Sequence, residues 1–139
     1  MTSEPKWISK KSILAIHEAL LAEHGGAPGF VAEHLLDSAL DSPRNHFAYG
    51  VADPFELAAA YARALTQDHP FVDGNKRVAL TVALTFLEKN GVIVTASEVE
   101  AVEMVLGLSS REVDAPAFAE WLRSNSEKVP SKKAPRRFR

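Results

Sequence analysis

Residues 75–89 constrain the fold more than any other part of the sequence. Their apolar side chains occupy nearly the whole circumference of a helix, not a single stripe. They are Val78, Ala79, Leu80, Val82, Ala83, Leu84, Phe86 and Leu87. A helix that is apolar all round is a buried one, and Asn90-Gly91 suits its C-terminal cap. We therefore expect an all-α fold, a compact helical bundle around a buried central helix at 75–89.

Helical spacing of apolar residues also predicts the elements around this helix. The turn Gly25-Gly26-Ala27-Pro28-Gly29 ends the first helix, and Ser42-Pro43 is expected to end the second. Residues 43–52 carry aromatic side chains without helical period, which predicts a loop or a small β-hairpin. Val92-Ile93-Val94 is expected to be extended. The other predicted helices cover about 10–24, 31–41, 54–67, 97–107 and a segment that begins at Asp114.

Length and composition fit one ordinary globular domain. The chain has 139 residues, of which 46% are hydrophobic and 24% are charged. No apolar stretch approaches the roughly 18 residues of a membrane span, and the first residues lack the pattern of a signal peptide. Since there is no cysteine, disulfides and thiolate metal sites are excluded. Together these features favour a cytoplasmic protein.

The C-terminal residues 127–139 differ in charge from the rest of the chain. They hold six Lys or Arg and one Glu, a net charge of +5, although the whole chain has −2. With Pro130 and Pro135, this segment predicts a disordered basic tail that follows a folded domain at 1–126. A solvated terminus is a better interpretation of the tail than contact with nucleic acid.

The loop that precedes the central helix carries most of the chemistry. A helix N-terminus offers free backbone N–H groups and a positive dipole end, which together favour an anion. Gly74 lets the chain turn tightly there. Lys76 and Arg77 lie in the first turn, where the dipole disfavours cations by about 0.3–1 kcal/mol each. A bound anion would offset this cost, so the local pattern predicts a phosphate site.

Two further residues complete the candidate site. His69 has the side chain best suited to proton transfer near neutral pH, and Asp73 is a hard oxygen ligand of the kind that magnesium prefers. Taken singly, these residues have ordinary alternatives: Asp73 as a helix cap, and Lys76 and Arg77 as a solvated first turn. The other histidines are predicted to be structural: His17, His24, His34 and His46.

The run at 69–77, HPFVDGNKR, resembles the motif of the Fic/Doc family, His-x-Phe-x-Asp/Glu-Gly-Asn-Gly/Lys-Arg. The resemblance is to the Doc (death-on-curing) branch, and it is strongest over residues 55–91. It covers roughly residues 7–123 and leaves out the basic tail.

The resemblance implies a role for each motif residue and two cofactors, ATP and Mg²⁺. His69 would be the general base and Asp73 the metal ligand, while Gly74, Asn75, Lys76 and Arg77 would bind the nucleotide phosphates. Most family members that transfer AMP have glycine where this chain has Lys76, and the Doc branch has lysine. The chain is therefore expected to be a kinase. The expected substrate is a threonine of elongation factor Tu, with arrest of translation as the result.

The resemblance also implies partners and leaves alternatives open. A flap at 43–52, with Arg44, Phe47 and Tyr49, is a candidate for docking the target backbone. No internal inhibitory motif is found in the sequence, so a small antitoxin of the Phd type is the expected partner. Thr81 replaces an asparagine of the Doc prototype. An AMP transferase and a non-catalytic binding module are the alternatives.

Overall fold

The computed structural model describes residues 3–129, which form six helices and two short strands. The helical class predicted from the sequence is confirmed. The helices are α1 (Lys10–His24), α2 (Glu33–Ala48), α3 (Pro54–Asp68), α4 (Asn75–Lys89), α5 (Glu98–Ser110) and α6 (Ala115–Ser124), and the strands are β1 (Val92–Val94) and β2 (Ser126–Lys128).

Helix α4 is the centre of the bundle, as its apolar circumference predicts. Its apolar side chains are buried from Val78 to Leu87, and α1, α3, β1 and α5 all contact it. The most extensive of these contacts is with α3, whose alanines at 58, 59 and 62 are buried. Because alanine has a small side chain, the two helix backbones can approach closely at these positions. The predicted bounds of α4 are confirmed at both ends.

The small sheet lies at a different place from the predicted hairpin. Strands β1 and β2 pair antiparallel, with Ile93 opposite Glu127. The extended segment predicted at 92–94 is therefore confirmed. Residues 127 and 128 of the predicted tail belong to β2, because they pair with the backbone of β1. The Val129 N–H also donates to the Gly91 carbonyl, and the rest of the predicted tail, 130–139, lies outside the described residues.

The prediction of a loop or hairpin at 43–52 is wrong. Helix α2 continues through Pro43 to Ala48, and a turn at Tyr49 and Gly50 follows it. Proline removes one backbone donor from a helix, which is why Ser42-Pro43 resembles a stop signal. Here Pro43 is buried, and Phe47 in the next turn packs against Trp7. This tertiary contact supports the last turn despite the lost hydrogen bond.

Side-chain caps define several of the other helix starts. The side chains of Ser9, Ser97 and Asp114 accept hydrogen bonds from backbone N–H groups in the first turns of α1, α5 and α6. Within residues 3–129, no helix is both long enough and apolar enough to cross a bilayer.

The C-terminal end of α4 is closed by aromatic side chains. Trp7 stacks on Phe86 with 5.9 Å between ring centroids, and Tyr61 lies 5.3 Å from the same ring. The Tyr61 hydroxyl accepts a hydrogen bond of 3.0 Å from the Ile8 N–H, and burial raises the pKa of this hydroxyl. The side chain of Asn90 bonds to the backbone of Lys6. Aromatic packing on the buried Phe86 ring and backbone hydrogen bonds thus hold the N-terminal segment against this end of α4.

Candidate active site

His69 lies at the junction between α3 and the motif loop. It is the C-cap of α3 and has a left-handed backbone, with φ 50° and ψ 59°. Only a few per cent of non-glycine residues adopt positive φ, and such strain tends to be concentrated at functional sites. The residue is exposed, so its imidazole is accessible from solvent. The structure therefore places the predicted general base where a substrate could reach it.

Asn75 closes the loop from inside. Its Oδ1 accepts from the Phe71 N–H at 3.0 Å, and its Nδ2 donates to the Phe71 carbonyl at 2.9 Å. The side chain is buried, with 9% of its surface exposed. The predicted role of this amide as a phosphate donor stays untested, but the geometry gives it a structural role that the sequence did not suggest. The two hydrogen bonds hold the Phe71 backbone close to the first residue of α4.

A short β-bridge anchors the loop from outside. Phe30 pairs antiparallel with Phe71, through the bonds Val31 N–H to Pro70 carbonyl (2.8 Å) and Val72 N–H to Gly29 carbonyl (3.0 Å). Thus the segment that follows the glycine turn packs directly on the motif loop.

His17 is structural, as predicted, but its role is more specific than core packing. Its ring stacks on Phe71 with 3.8 Å between centroids and 15° between planes. Its Nε2 lies 2.9 Å from the carbonyl oxygen of Asp73, and only 6% of the residue is exposed. Since a carbonyl only accepts, Nε2 carries the proton. No local pattern indicates this contact, because the two residues are 56 positions apart.

Asp73 is an exposed loop residue, not a helix cap. The N-cap of α4 is Gly74, with φ 89°, and no side chain caps this helix. The Oδ2 of Asp73 instead accepts a 2.7 Å hydrogen bond from the Ala27 N–H. The alternative of a capping aspartate is therefore wrong, and Oδ1 has no hydrogen-bond partner within residues 3–129.

Lys76 and Arg77 are exposed in the first turn of α4. Neither forms an ion pair with any residue in the described part of the chain, and this turn contains no acidic residue. The structure thus retains the local conflict that the sequence shows, two cations at a positive dipole end. It leaves their charges available to an anionic ligand.

These residues line one cavity of about 520 Å³, a size typical of small-molecule sites. The predicted residues His69, Asp73, Gly74, Asn75, Lys76 and Arg77 all contribute to its wall. The rest of the cavity wall includes His24 from α1 and three residues from α5, Glu98, Val102 and Leu106. The α5 wall is not among the site elements predicted from the sequence. A signal was present, since Val99, Val102 and Leu106 are apolar at helical spacing and remain exposed.

The proposed docking residues of the 43–52 segment do not reach this cavity. Arg44 lies over the Trp7 ring at 5.1 Å, and Phe47 packs edge-on to the same ring at 5.8 Å. Trp7 in turn stacks on Phe86, which lies nine residues or about 14 Å along α4 from Arg77. Tyr49 is 90% exposed. Their role in target docking stays a prediction, and the structure does not bring them to the loop.

The donor set fits a magnesium ion that is held partly by substrate. Within residues 3–129, no three or more His, Asp or Glu side chains are grouped to hold an ion. Magnesium is usually bound by one or two carboxylates together with nucleotide phosphates. The free Oδ1 of Asp73, beside the cationic turn of α4, is a suitable single carboxylate ligand.

The fold and this site define a family. The model of the Fic/DOC family matches residues 7–87, more than half of the chain, so the chain belongs to that family. It is similar to the "Protein kinase doc" of Escherichia phage P1, with 34% identity over 117 residues, covering 84% of this chain and 92% of the relative. It is also similar to the "Toxin Doc" of Mycolicibacterium smegmatis, with 39% identity over 90 residues, or 61% and 68% of the two chains. The chain is a Doc-like toxin of the Fic/DOC family.

Proposed function

We propose that this protein is a toxin kinase that transfers the γ-phosphoryl group of ATP to a Ser or Thr hydroxyl of a target protein. One observation carries the proposal: His69, Asp73, Lys76 and Arg77 line a single cavity at the N-terminus of α4. Membership of the Fic/DOC family supports a nucleotide-dependent transferase, and the name of the phage P1 relative supports a kinase.

Two ends of the cavity match two ends of a nucleotide. The loop end carries Lys76, Arg77 and the free N–H groups of a helix start, all of which attract phosphate. The α5 end offers Val102 and Leu106, whose exposed apolar surfaces suit a nucleobase. A cavity of about 520 Å³ is large enough for both groups.

The chain's own residues supply the steps of transfer. His69 takes the proton from the target hydroxyl while the hydroxyl oxygen bonds to the γ-phosphorus. The bond between the γ-phosphorus and the oxygen that bridges it to the β-phosphate breaks, and ADP leaves. Lys76 and Arg77 stabilise the charge that spreads over the transferred group, which is the main task in phosphoryl transfer. Magnesium bound by Asp73 would supply further charge neutralisation.

Lys76 favours phosphoryl over adenylyl transfer, and the alternative is an AMP transferase. The two are separated by incubating the target with ATP labelled at either the α- or the γ-phosphorus. Only γ-label should reach the target, and His69→Ala should stop the transfer. Transfer of α-label would instead establish the AMP transferase. A Lys76→Gly variant tests whether this residue determines that phosphoryl, and not adenylyl, transfer takes place.

The target, partner and location follow from the resemblance to Doc. We propose a threonine of elongation factor Tu as the target, a small antitoxin of the Phd type as the partner, and action in the cytoplasm. Expression of the wild type should then arrest growth, and His69→Ala should not. Growth arrest that persists in His69→Ala, in spite of lost transfer, would favour a non-catalytic binding module.

A further inference from the structure

The carboxylate of Asp73 is oriented by two contacts from outside the motif loop. His17 Nε2–H donates to the Asp73 carbonyl at 2.9 Å, and the Ala27 N–H donates to Oδ2 at 2.7 Å. One contact fixes the backbone and the other fixes the side chain. The bond to a carboxylate is charge-assisted and therefore among the stronger hydrogen bonds.

The glycine turn is shaped around this contact. Gly26 has φ 123°, and a Cβ added there would lie 3.0 Å from Leu21 Cδ2 and 3.3 Å from the Asp73 Cβ. Both distances are tighter than ordinary van der Waals contact. A side chain at position 26 would therefore be strained by the positive φ and would require Leu21 or Asp73 to shift, and we expect this shift to weaken the bond from Ala27.

His17 is held so that its donor points at the same residue. It is buried, and its ring is stacked on Phe71 inside the loop. The ring approaches the next residue as well, since a Cβ on Gly74 would lie 3.5 Å from His17 Cδ2. The stacking and the hydrogen bond together fix the backbone at Asp73 relative to α1.

From these contacts we infer that His17, Gly26 and Ala27 form a positioning element, the Asp73 clamp, which occupies Oδ2 and presents Oδ1 to the cavity as a metal ligand. The inference rests on the proposed function, because that function assigns the metal to Asp73. Residues that orient a ligand in this way typically change metal affinity by about 10–100-fold when they are replaced. The clamp consists of positioning residues, and none of the three lines the cavity.

Two pairs of variants test the clamp. His17→Phe keeps an aromatic ring to stack on Phe71 but removes the donor, whereas His17→Gln keeps a donor and loses the ring. Gly26→Ala introduces the close approach to Asp73. Its matched control is Gly50→Ala, because Gly50 also has a positive φ of 104° but has nothing within 4 Å of an added Cβ.

The readout is the affinity for Mn²⁺ in the presence of ATP, measured by electron paramagnetic resonance at equal folded protein. We expect His17→Phe and Gly26→Ala to weaken Mn²⁺ binding about tenfold or more, while Gly50→Ala binds as the wild type does and His17→Gln recovers part of the affinity. ATP affinity without metal should change little. This pattern separates positioning from a general loss of structure.

Two outcomes overturn the inference and are distinguishable through Asp73→Asn. If Asp73→Asn loses Mn²⁺ affinity but His17→Phe and Gly26→Ala do not, the metal site stands and the clamp fails. If Asp73→Asn binds Mn²⁺ as tightly as the wild type, the metal assignment within the proposed function fails, and the clamp fails with it.

Discussion

The two ends of α4 differ in how completely their side chains are packed and paired. At the C-terminal end, Phe86 is covered by Trp7 and Tyr61, and the Tyr61 hydroxyl accepts a hydrogen bond from the Ile8 N–H. At the N-terminal end, Lys76 and Arg77 have no ion-pair partner within residues 3–129, and they lie where the helix dipole disfavours them. One end is closed by packing, and the other carries two cations without an ion-pair partner among residues 3–129, which is the arrangement expected of an anion site.

The backbone shows the same contrast. His69 adopts a left-handed conformation at the loop end, whereas the opposite end of α4 closes with an ordinary cap at Asn90, φ −107°. Local strain and unpaired charge are common where structure serves function. We therefore expect variants at the N-terminal end to reduce activity more than stability, and variants at the C-terminal end to reduce stability more than activity.

The largest effect is expected from His69→Ala. Removal of a general base costs about 10²–10⁴-fold in rate, and the exposed side chain contributes little to packing. Phosphate transfer from ATP measured at steady state should fall by this amount, with unfolding by urea nearly unchanged. His34→Ala, an exposed histidine on α2, is the control and should retain full activity. A rate that remains within a few-fold of the wild type would remove His69 from its role.

At the other end, Phe86→Ala should destabilise the fold by about 3–5 kcal/mol, because it leaves a cavity among Trp7, Tyr61 and the rest of the core. The free energy of unfolding from urea titration measures this cost. Activity per folded molecule should stay close to that of the wild type. A large loss of activity in fully folded protein would show that the two ends are coupled.

Arg77→Gln should change stability and binding in opposite directions. Removing a cation from the helix N-terminus should raise the free energy of unfolding by about 0.3–1 kcal/mol. Losing a charged contact with phosphate should weaken ATP binding by about 1.5–3 kcal/mol, roughly tenfold or more in Kd. Calorimetry measures both quantities. Arg63→Gln, on the exposed face of α3, should change neither, and a stability loss in Arg77→Gln would contradict the unpaired state of this residue.

The smallest effect is expected from Tyr49→Ser. This side chain is 90% exposed beyond the end of α2, so stability should change by less than about 0.5 kcal/mol. Since Arg44 and Phe47 pack at the C-terminal end of α4, we also expect no change in kcat/KM for the protein target. A clear fall in that ratio with normal ATP binding would restore the docking role predicted for residues 43–52.

The fold could be predicted mainly where local signals agree with tertiary packing. The apolar circumference of 75–89 and the helix starts predicted at 97 and at Asp114 correspond to observed elements. Pro43 leads to a wrong prediction for the end of α2, because its effect on the helix is local. The packing of Phe47 that supports the last turn of α2 depends on Trp7, which is distant in sequence.

The candidate site follows the same rule. Residues 69–77 lie together in sequence, so their meeting in one cavity is predictable. The contacts of Asp73 with His17 and Ala27, and the α5 wall, bring together segments that are far apart in the chain. The role of Asn75 could not be predicted from its residue type alone. An asparagine suits both a phosphate donor and the hydrogen bonds to Phe71 that close the loop in the structure.

Whether the cavity at the start of α4 transfers a phosphoryl group is tested most directly by one measurement. Purified elongation factor Tu is incubated with ATP, Mg²⁺ and the protein, and its intact mass is recorded beside a reaction with His69→Ala. We predict that the mass increases by one phosphate with the wild type and does not change with the variant. A gain of one adenylate, or an equal gain of phosphate with His69→Ala, would contradict the account.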